Sequence, residues 1–244
     1  MVDIQSILRD QFVGLYLYGS LALGDFDPLT SDIDFIVLTQ KEITDHQFTA
    51  LRELHAHFDQ NNSTWGKKIE AAYIPLDAFH HHPTASSLYP QIEKGTVLTR
   101  TPLEIGWAFQ RYILREYGIT VVGPSPHSLI DPVDPLEMRQ TAANIIRMWQ
   151  EQSRYDPSWL EWARIISSQA FIVLTLCRIR YSLQTGSVTS KLAAARWAQA
   201  VYGPRWNLLI DRALAGQHNE QESSDDDLSE MLAFLNDSAL LCNL

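Results

Sequence analysis

Two aspartates one residue apart, in Asp32-Ile33-Asp34, stand at the head of an apolar, β-branched run that continues to Leu38. In a strand, residues two apart share a face, so the pair presents two carboxylates on one side while Ile33, Phe35 and Val37 turn to the other. Carboxylates held this close repel one another unless a cation lies between them, and hard oxygen ligands suit Mg²⁺. Mg²⁺ in such sites also takes substrate phosphates, which points to nucleotide chemistry. Upstream, Gly19-Ser20 closes the apolar run Phe12 to Tyr18. Glycine lets the backbone approach a ligand, amides at a helix start attract phosphate, and the serine hydroxyl adds a donor. Glu70 is flanked by Ile69 and Ala71, which point to the opposite face and leave it on the polar side, where it can join the aspartate pair. Each piece alone is weak. Most Asp-x-Asp pairs in an acidic chain are surface or turn residues, a lone Gly-Ser is a turn, and a lone strand glutamate is solvated. Their order, strand contexts and spacing are jointly much harder to reach by chance.

The elements that must position these residues read as follows. Phe12 to Tyr18, Asp32 to Leu38 and Lys67 to Pro75 are predicted strands, the last closed by proline. Between Ile43 and Phe58, the spacing of Phe48, Leu51, Leu54 and Phe58 predicts an amphipathic helix. Strand, turn, strand, helix, strand is an α/β or α+β layout with helices covering a small sheet, and with the helical half that follows the expected class is α+β, a small mixed sheet with covering helices. From about residue 102 the pattern turns helical. Asp134-Pro135-Leu136-Glu137 is a helix start, with Leu136, Ala143, Ile146 and Trp149 on one face behind it. Ser158 with Glu161 reads as a capping box opening a long apolar helix that stops at Gly186, and Thr189-Ser190 caps a third, from Lys191 to about Val201. The expected division is a mixed domain over residues 1–100 and an all-α C-terminal helical domain over 101–244, with the boundary between Gly95 and Leu103. Asn219 to Glu230, with six acids and no base, reads as a solvated, mobile connection before a last helix.

The 244 residues carry 19 Lys plus Arg against 29 Asp plus Glu, a net charge of −10, which argues against a general nucleic-acid binder and fits a cationic partner. Two cysteines, Cys177 and Cys242, make neither a disulfide framework nor an unaided four-ligand zinc site, and Cys177 lies in the apolar run from Phe171, as a packing residue. Met1 to Asp10 lacks the basic-then-apolar order of a secretory signal, and no stretch approaches the roughly 18 apolar residues of a membrane span, so a cytoplasmic location is expected.

Gly19-Ser20, then Asp32-x-Asp34 on a strand, then an acid on a later strand, resembles the nucleotidyltransferase superfamily of the DNA polymerase β type. The chain as a whole resembles the aminoglycoside adenylyltransferases with a helical C-terminal domain, the group modifying streptomycin and spectinomycin. Gly123-Pro124, Leu129 to Val133, Val173 to Ile179, Thr185-Gly186 and Ser190-Lys191 to Trp197-Ala198 carry this similarity, which spans about residues 12 to 215. The resemblance implies that Asp32 and Asp34 hold Mg²⁺, two ions, bridging ATP phosphates. It implies that Gly19 and Ser20 form the phosphate turn and that Glu70 is the general base on an acceptor hydroxyl. Arg178 and Lys191 match basic residues that reach the triphosphate. Unaided, Arg178 is one of few charges in an apolar helix and Lys191 sits at a helix start that favours anions, although a helix-end salt bridge and a solvated lysine are the plain readings.

The implied activity is transfer of AMP from ATP to a small hydroxylated, cationic acceptor by a monomer that binds neither nucleic acid nor membrane. Streptomycin-modifying relatives carry an aspartate ten residues before the triphosphate arginine. Ser168 stands there, and the tryptophan such enzymes use has no match near Leu88 to Gly95. A spectinomycin-like acceptor is therefore favoured over streptomycin. The alternatives are a protein or metabolite acceptor, and a non-catalytic nucleotide sensor, which would not need Glu70. His80-His81-His82 reads as loop, and Asp225-Asp226-Asp227 as a solvated run. The tryptophans read mainly as core, with Trp107 and Trp162 the two that could line a cleft.

Overall fold

The computed structural model describes residues 2–29, 31–61, 65–80, 87–93 and 96–241. His81, His82, Gly95 and Cys242 lie outside the described residues. The chain divides into two compact units, residues 1–133 and 134–244.

The first unit runs α1 (Val2–Leu8), β1 (Phe12–Leu17), α2 (Gly19–Ala22), β2 (Ile33–Thr39), α3 (Asp45–Asn61), β3 (Ile69–Pro75), α4 (Asp77–His80), β4 (Tyr89–Ile92), β5 (Thr99–Thr101), α5 (Trp107–Tyr117), β6 (Ile119–Val122) and α6 (Pro126–Leu129). The six strands form one mixed sheet in the order β5-β4-β3-β2-β1-β6. β2 and β3 are parallel, joined through α3, and every other pair is antiparallel. Alternation sorts the strand residues onto two buried faces. Leu15, Phe35, Val37, Ala71 and Tyr73 pack with Ile4, Leu8 and Leu51 from the α1 and α3 side. Tyr16, Ile36, Leu38, Ala72 and Ile74 pack with Phe79, Trp107, Leu114 and Ile130 from the other. The face that carries Asp34 and Glu70 is therefore apolar along most of its length and turns acidic only at one end. Trp107 is core: it is 6% exposed, packs on Phe79, and its indole N–H reaches the Ala78 carbonyl.

The unit boundary falls about 30 residues later than the sequence suggested, because residues 119–122 form the sixth strand, paired with β1 at Leu17 and Ile119. Short, exposed and followed by Gly123 at φ +116°, this edge strand has the burial of a loop and gives little period-2 signal.

His55 on α3 is 7% exposed, with Nε2 2.8 Å from the Tyr73 hydroxyl, and burial pushes its imidazole down from 6.5 to about 4. Because the folded value lies below the unfolded one, its stabilising effect is complete above about pH 6.5 and is lost as pH falls towards 4. The shift corresponds to about 3 kcal/mol. Denaturant midpoints at pH 7 and pH 4.5 should show this loss in the parent chain. His55→Gln, which cannot titrate but can still bond Tyr73, should reduce the drop by most of that amount.

The second unit is all helical: α7 (Pro135–Tyr155), α8 (Pro157–Ala163), α9 (Ile166–Thr185), α10 (Lys191–Tyr202), α11 (Asn207–Ala215) and α12 (Asp225–Ala239). α9 is its centre, with Ile172, Val173, Leu174, Leu176, Cys177 and Ile179 all buried, and a helix apolar on nearly every side must be enclosed. On α7, Ile146 and Trp149 face inward as expected, joined by Met138, Ala142 and Ile145, whereas Leu136 is 58% exposed in the first turn.

Two expectations are corrected here. The helix expected to run unbroken from Ser158 to Gly186 is two helices, α8 capped by Asp156 and α9, broken where Ile165 makes a β-bridge with Glu222. Gly186 does end it, at φ +71°. The acidic stretch 219–230 is ordered: Ile166 donates to the Gln221 carbonyl, and Asp225 to Asp227 form the first turn of α12 behind a Ser224–Asp227 capping box. Acids favour that position because the helix N-terminus is electropositive. The Ser-x-x-Asp spacing was the local signal for it.

Candidate active site

Strand register assembles the acids. Leu17 is paired with Phe35, and the next residue, Tyr18, donates its N–H to the Asp34 carbonyl at 3.1 Å, so Tyr18 lies opposite Asp34. Across the parallel pair, Asp34 is the Cα partner of Glu70. Beyond that, Ala71 pairs with Ile92, which carries the row towards Glu93. Cross-strand partners project to the same side, so Tyr18, Asp34 and Glu70 stand in line at one end of the sheet. Asp32 is one residue before the observed start of β2 rather than within it.

Gly19 explains the turn that follows β1. It has φ +60°, a conformation L side chains rarely adopt, and a Cβ built on it would lie 2.0 Å from Oδ2 of Asp34. The carboxylate therefore occupies the space that any side chain would need. Ser20 follows in the short α2, with its carbonyl accepting from the Asp25 N–H at 3.0 Å. Gly19→Ala should cost about 1–2 kcal/mol of stability from backbone conformation alone and push the Asp34 carboxyl aside. The expected outcome is a loss of turnover far larger than the loss of stability, read by comparing steady-state rate with denaturant midpoint.

The electrostatics are those of crowded acids. Glu70 is held above its ordinary value of 4.5, first by burial, then by Asp32, with Glu104 and Glu93 adding to the rise and a hydrogen bond with Asp34 opposing it. Acids held this close repel one another as like charges. Tyr18 is raised far above its usual range by burial and by Asp34, Glu70 and Glu104 in turn, and so keeps its proton.

Asp32 and Asp34 offer oxygen donors only, the chemistry that would fit a hard divalent ion. Among the described residues no three His, Cys, Asp or Glu side chains are already gathered into a metal cage. A site of this kind suits Mg²⁺, which keeps several waters and takes one or two carboxylates with substrate phosphates.

Arg178 and Lys191 belong to the second unit. Arg178 is half-buried on α9. Lys191 is the exposed first residue of α10, directly after Ser190, whose Oγ accepts from the Ala193 N–H at 3.2 Å. Ser168, at the position of the missing acid, is 7% exposed on α9.

Two family models match successive parts of the chain. Residues 3–98 match the nucleotidyltransferase domain, and residues 128–240 match the aminoglycoside adenylyltransferase C-terminal domain. Taken together, the two matches make the chain similar to the aminoglycoside adenylyltransferases along most of its length. An aminoglycoside (3'')(9) adenylyltransferase of Klebsiella pneumoniae is 24% identical, covering 95% of this chain and 89% of that protein. A spectinomycin 9-adenylyltransferase of Staphylococcus aureus is 22% identical over 89% and 82%. The fold matches a crystal structure of spectinomycin adenyltransferase from Enterococcus faecialis with ATP and spectinomycin, with a TM-score of 0.70 at 15% identity over 98% and 96% of the chains. This chain follows its six-stranded mixed sheet with a helical C-terminal region.

Sequence reasoning missed Tyr18, Glu93 and Glu104 as neighbours of Glu70. Tyr18 was within reach, since any antiparallel pairing of the first two strands that brings Gly19 to Asp34 also brings Tyr18 there. Glu104, whose Oε2 accepts from Gln110 Nε2 at 3.0 Å, arrives by a long-range path with no local signature.

Proposed function

We propose that this enzyme transfers AMP from ATP to a hydroxyl of a small cationic acceptor of the aminoglycoside or aminocyclitol class, releasing pyrophosphate. The observation that carries this reading is the pairing of Asp34 with Glu70 on adjacent parallel strands beside the positive-φ Gly19. Asp32 and Asp34 are the residues that would hold Mg²⁺, two ions, together with the nucleotide phosphates. Bound there, Mg²⁺ would supply charge neutralisation for the triphosphate.

The chain's own groups divide the remaining work. The turn at Gly19 and Ser20 brings backbone amides and a hydroxyl to the phosphates. Glu70 takes the proton of the acceptor hydroxyl as its oxygen attacks the α-phosphorus, which requires Glu70 to be ionised and in line with that oxygen. Arg178 and Lys191 offset triphosphate charge, Lys191 aided by its place at a helix start. The acidic row, and the net charge of −10, favour a cationic acceptor. The uncharged Ser168 favours a spectinomycin-like acceptor over streptomycin. Among the described residues no helix is long and apolar enough to cross a membrane. Dependence on ATP suits a cytoplasmic enzyme.

The test incubates the purified chain with ATP, Mg²⁺ and a panel holding spectinomycin, streptomycin, other aminoglycosides and a bacterial protein extract, with pyrophosphate and adenylylated products measured by mass. Adenylylation of an aminocyclitol, with resistance in cells expressing the chain, is the expected result. Labelling confined to polypeptide, or tight ATP binding with no turnover on any acceptor, would sink it.

A further inference from the structure

Lys68 stands two residues before Glu70, and its ammonium donates to two consecutive carbonyls, those of Pro28 at 2.9 Å and Leu29 at 2.8 Å. It also lies 5.6 Å from the centre of the Trp65 ring. Pro28 and Leu29 belong to the connection that leaves the Gly19-Ser20 turn and delivers Asp32. That connection is internally bonded. Leu29 N–H donates to Asp27 Oδ1 at 2.9 Å, Asp27 N–H to Ser31 Oγ at 3.0 Å, and Ser31 N–H to the Asp27 carbonyl at 2.8 Å.

The parallel β2–β3 ladder begins at Ile33 and Ile69, so it fixes Asp34 beside Glu70 but stops short of Asp32. The Lys68 bonds tie the two segments together beyond the end of that ladder, through a charged donor, which makes them stronger than neutral ones. We propose that Lys68 is a positioning residue: by holding the connection against the strand that carries Glu70, it sets the placement of Asp32 and hence the affinity of the site for divalent metal. This inference rests on the reading of Asp32 and Asp34 as the metal-holding pair.

The test measures Mn²⁺ binding by electron paramagnetic resonance, with a non-hydrolysable ATP analogue, in the parent, Lys68→Met, Lys68→Arg and Asp34→Asn. Lys68→Met keeps the aliphatic stem over Trp65 and loses the donors, and should weaken Mn²⁺ binding about 10-fold, the scale of other changes behind a metal ligand. It should also raise the KM for the metal–ATP complex more than it lowers kcat. Hydrogen exchange should quicken over residues 25–33 while the melting temperature moves little. Lys68→Arg, which restores charged donors, should recover most of the affinity. If Lys68→Met does not fold, Lys68→Gln, with one uncharged donor group, should show the same weakening. Mn²⁺ affinity within about twofold of the parent, or Arg and Met variants equally impaired, would overturn the role of Lys68 alone. Undiminished Mn²⁺ binding in Asp34→Asn would instead overturn the metal reading beneath it.

Discussion

Asp34→Asn is expected to reduce adenylyl transfer by about 10³-fold or more while the folded chain becomes no less stable. The loss follows from removing one of the two carboxylates that would neutralise the triphosphate; several kcal/mol of such charge stabilisation corresponds to about that factor in rate. The gain follows from the same crowding. Asp34 bonds Glu70, and Asp32, Glu93 and Glu104 all act on Glu70. An asparagine amide can still donate to the Glu70 carboxylate, and it removes one like charge from the group. Pyrophosphate release and thermal melting, measured on the same preparation, should therefore move in opposite directions or only the first should move. Retained turnover would exclude this residue from the metal site, whereas lost turnover with collapsed melting would show only a damaged fold.

Glu70→Gln is expected to lower kcat by about 10²–10⁴-fold, the usual contribution of a positioned general base. The KM for ATP should change little, because the acid acts on the acceptor rather than on the nucleotide. The pH dependence carries the sign. Burial and the nearby acids raise Glu70 above 4.5, so its ionised, proton-accepting form is depleted at a higher pH than for a solvated glutamate. In the parent, kcat/KM should fall on the acid side with a midpoint above 4.5. In Glu70→Gln that limb should flatten, since the carboxylate whose protonation removes the base is gone. An unchanged limb, or a kcat within a factor of ten of the parent, would assign the base to another residue.

Much of this chain was legible without coordinates because its signals are local. The glycine at the end of the first strand, the caps at Asp134 and Ser190 and the stop at Gly186 each depend on contacts a few residues apart, and each has its counterpart in the structure. So does the overall order of a mixed sheet followed by helices. Motif order and spacing were enough to nominate Gly19, Ser20, Asp32, Asp34 and Glu70 before any geometry was known.

What the amino-acid order left open depends on which distant segments pair. Register alone makes Asp34 the partner of Glu70, and a shift by one residue would turn one of the two to the opposite face. Pairing with β1 moves residues 119–122 into the first unit, although their own burial is that of a surface loop. The bridge between Ile165 and Glu222 splits one expected helix and orders an acidic stretch whose composition suggested a solvated connection. Lys68 reaches carbonyls about 40 residues away, and Glu104 acts on an acid on another strand. Local propensity fixes what a segment can become, whereas the free energy of these contacts exists only once separate segments have been brought together. The tertiary structure therefore decided the neighbours of the acids, and the sequence decided which acids there were to gather.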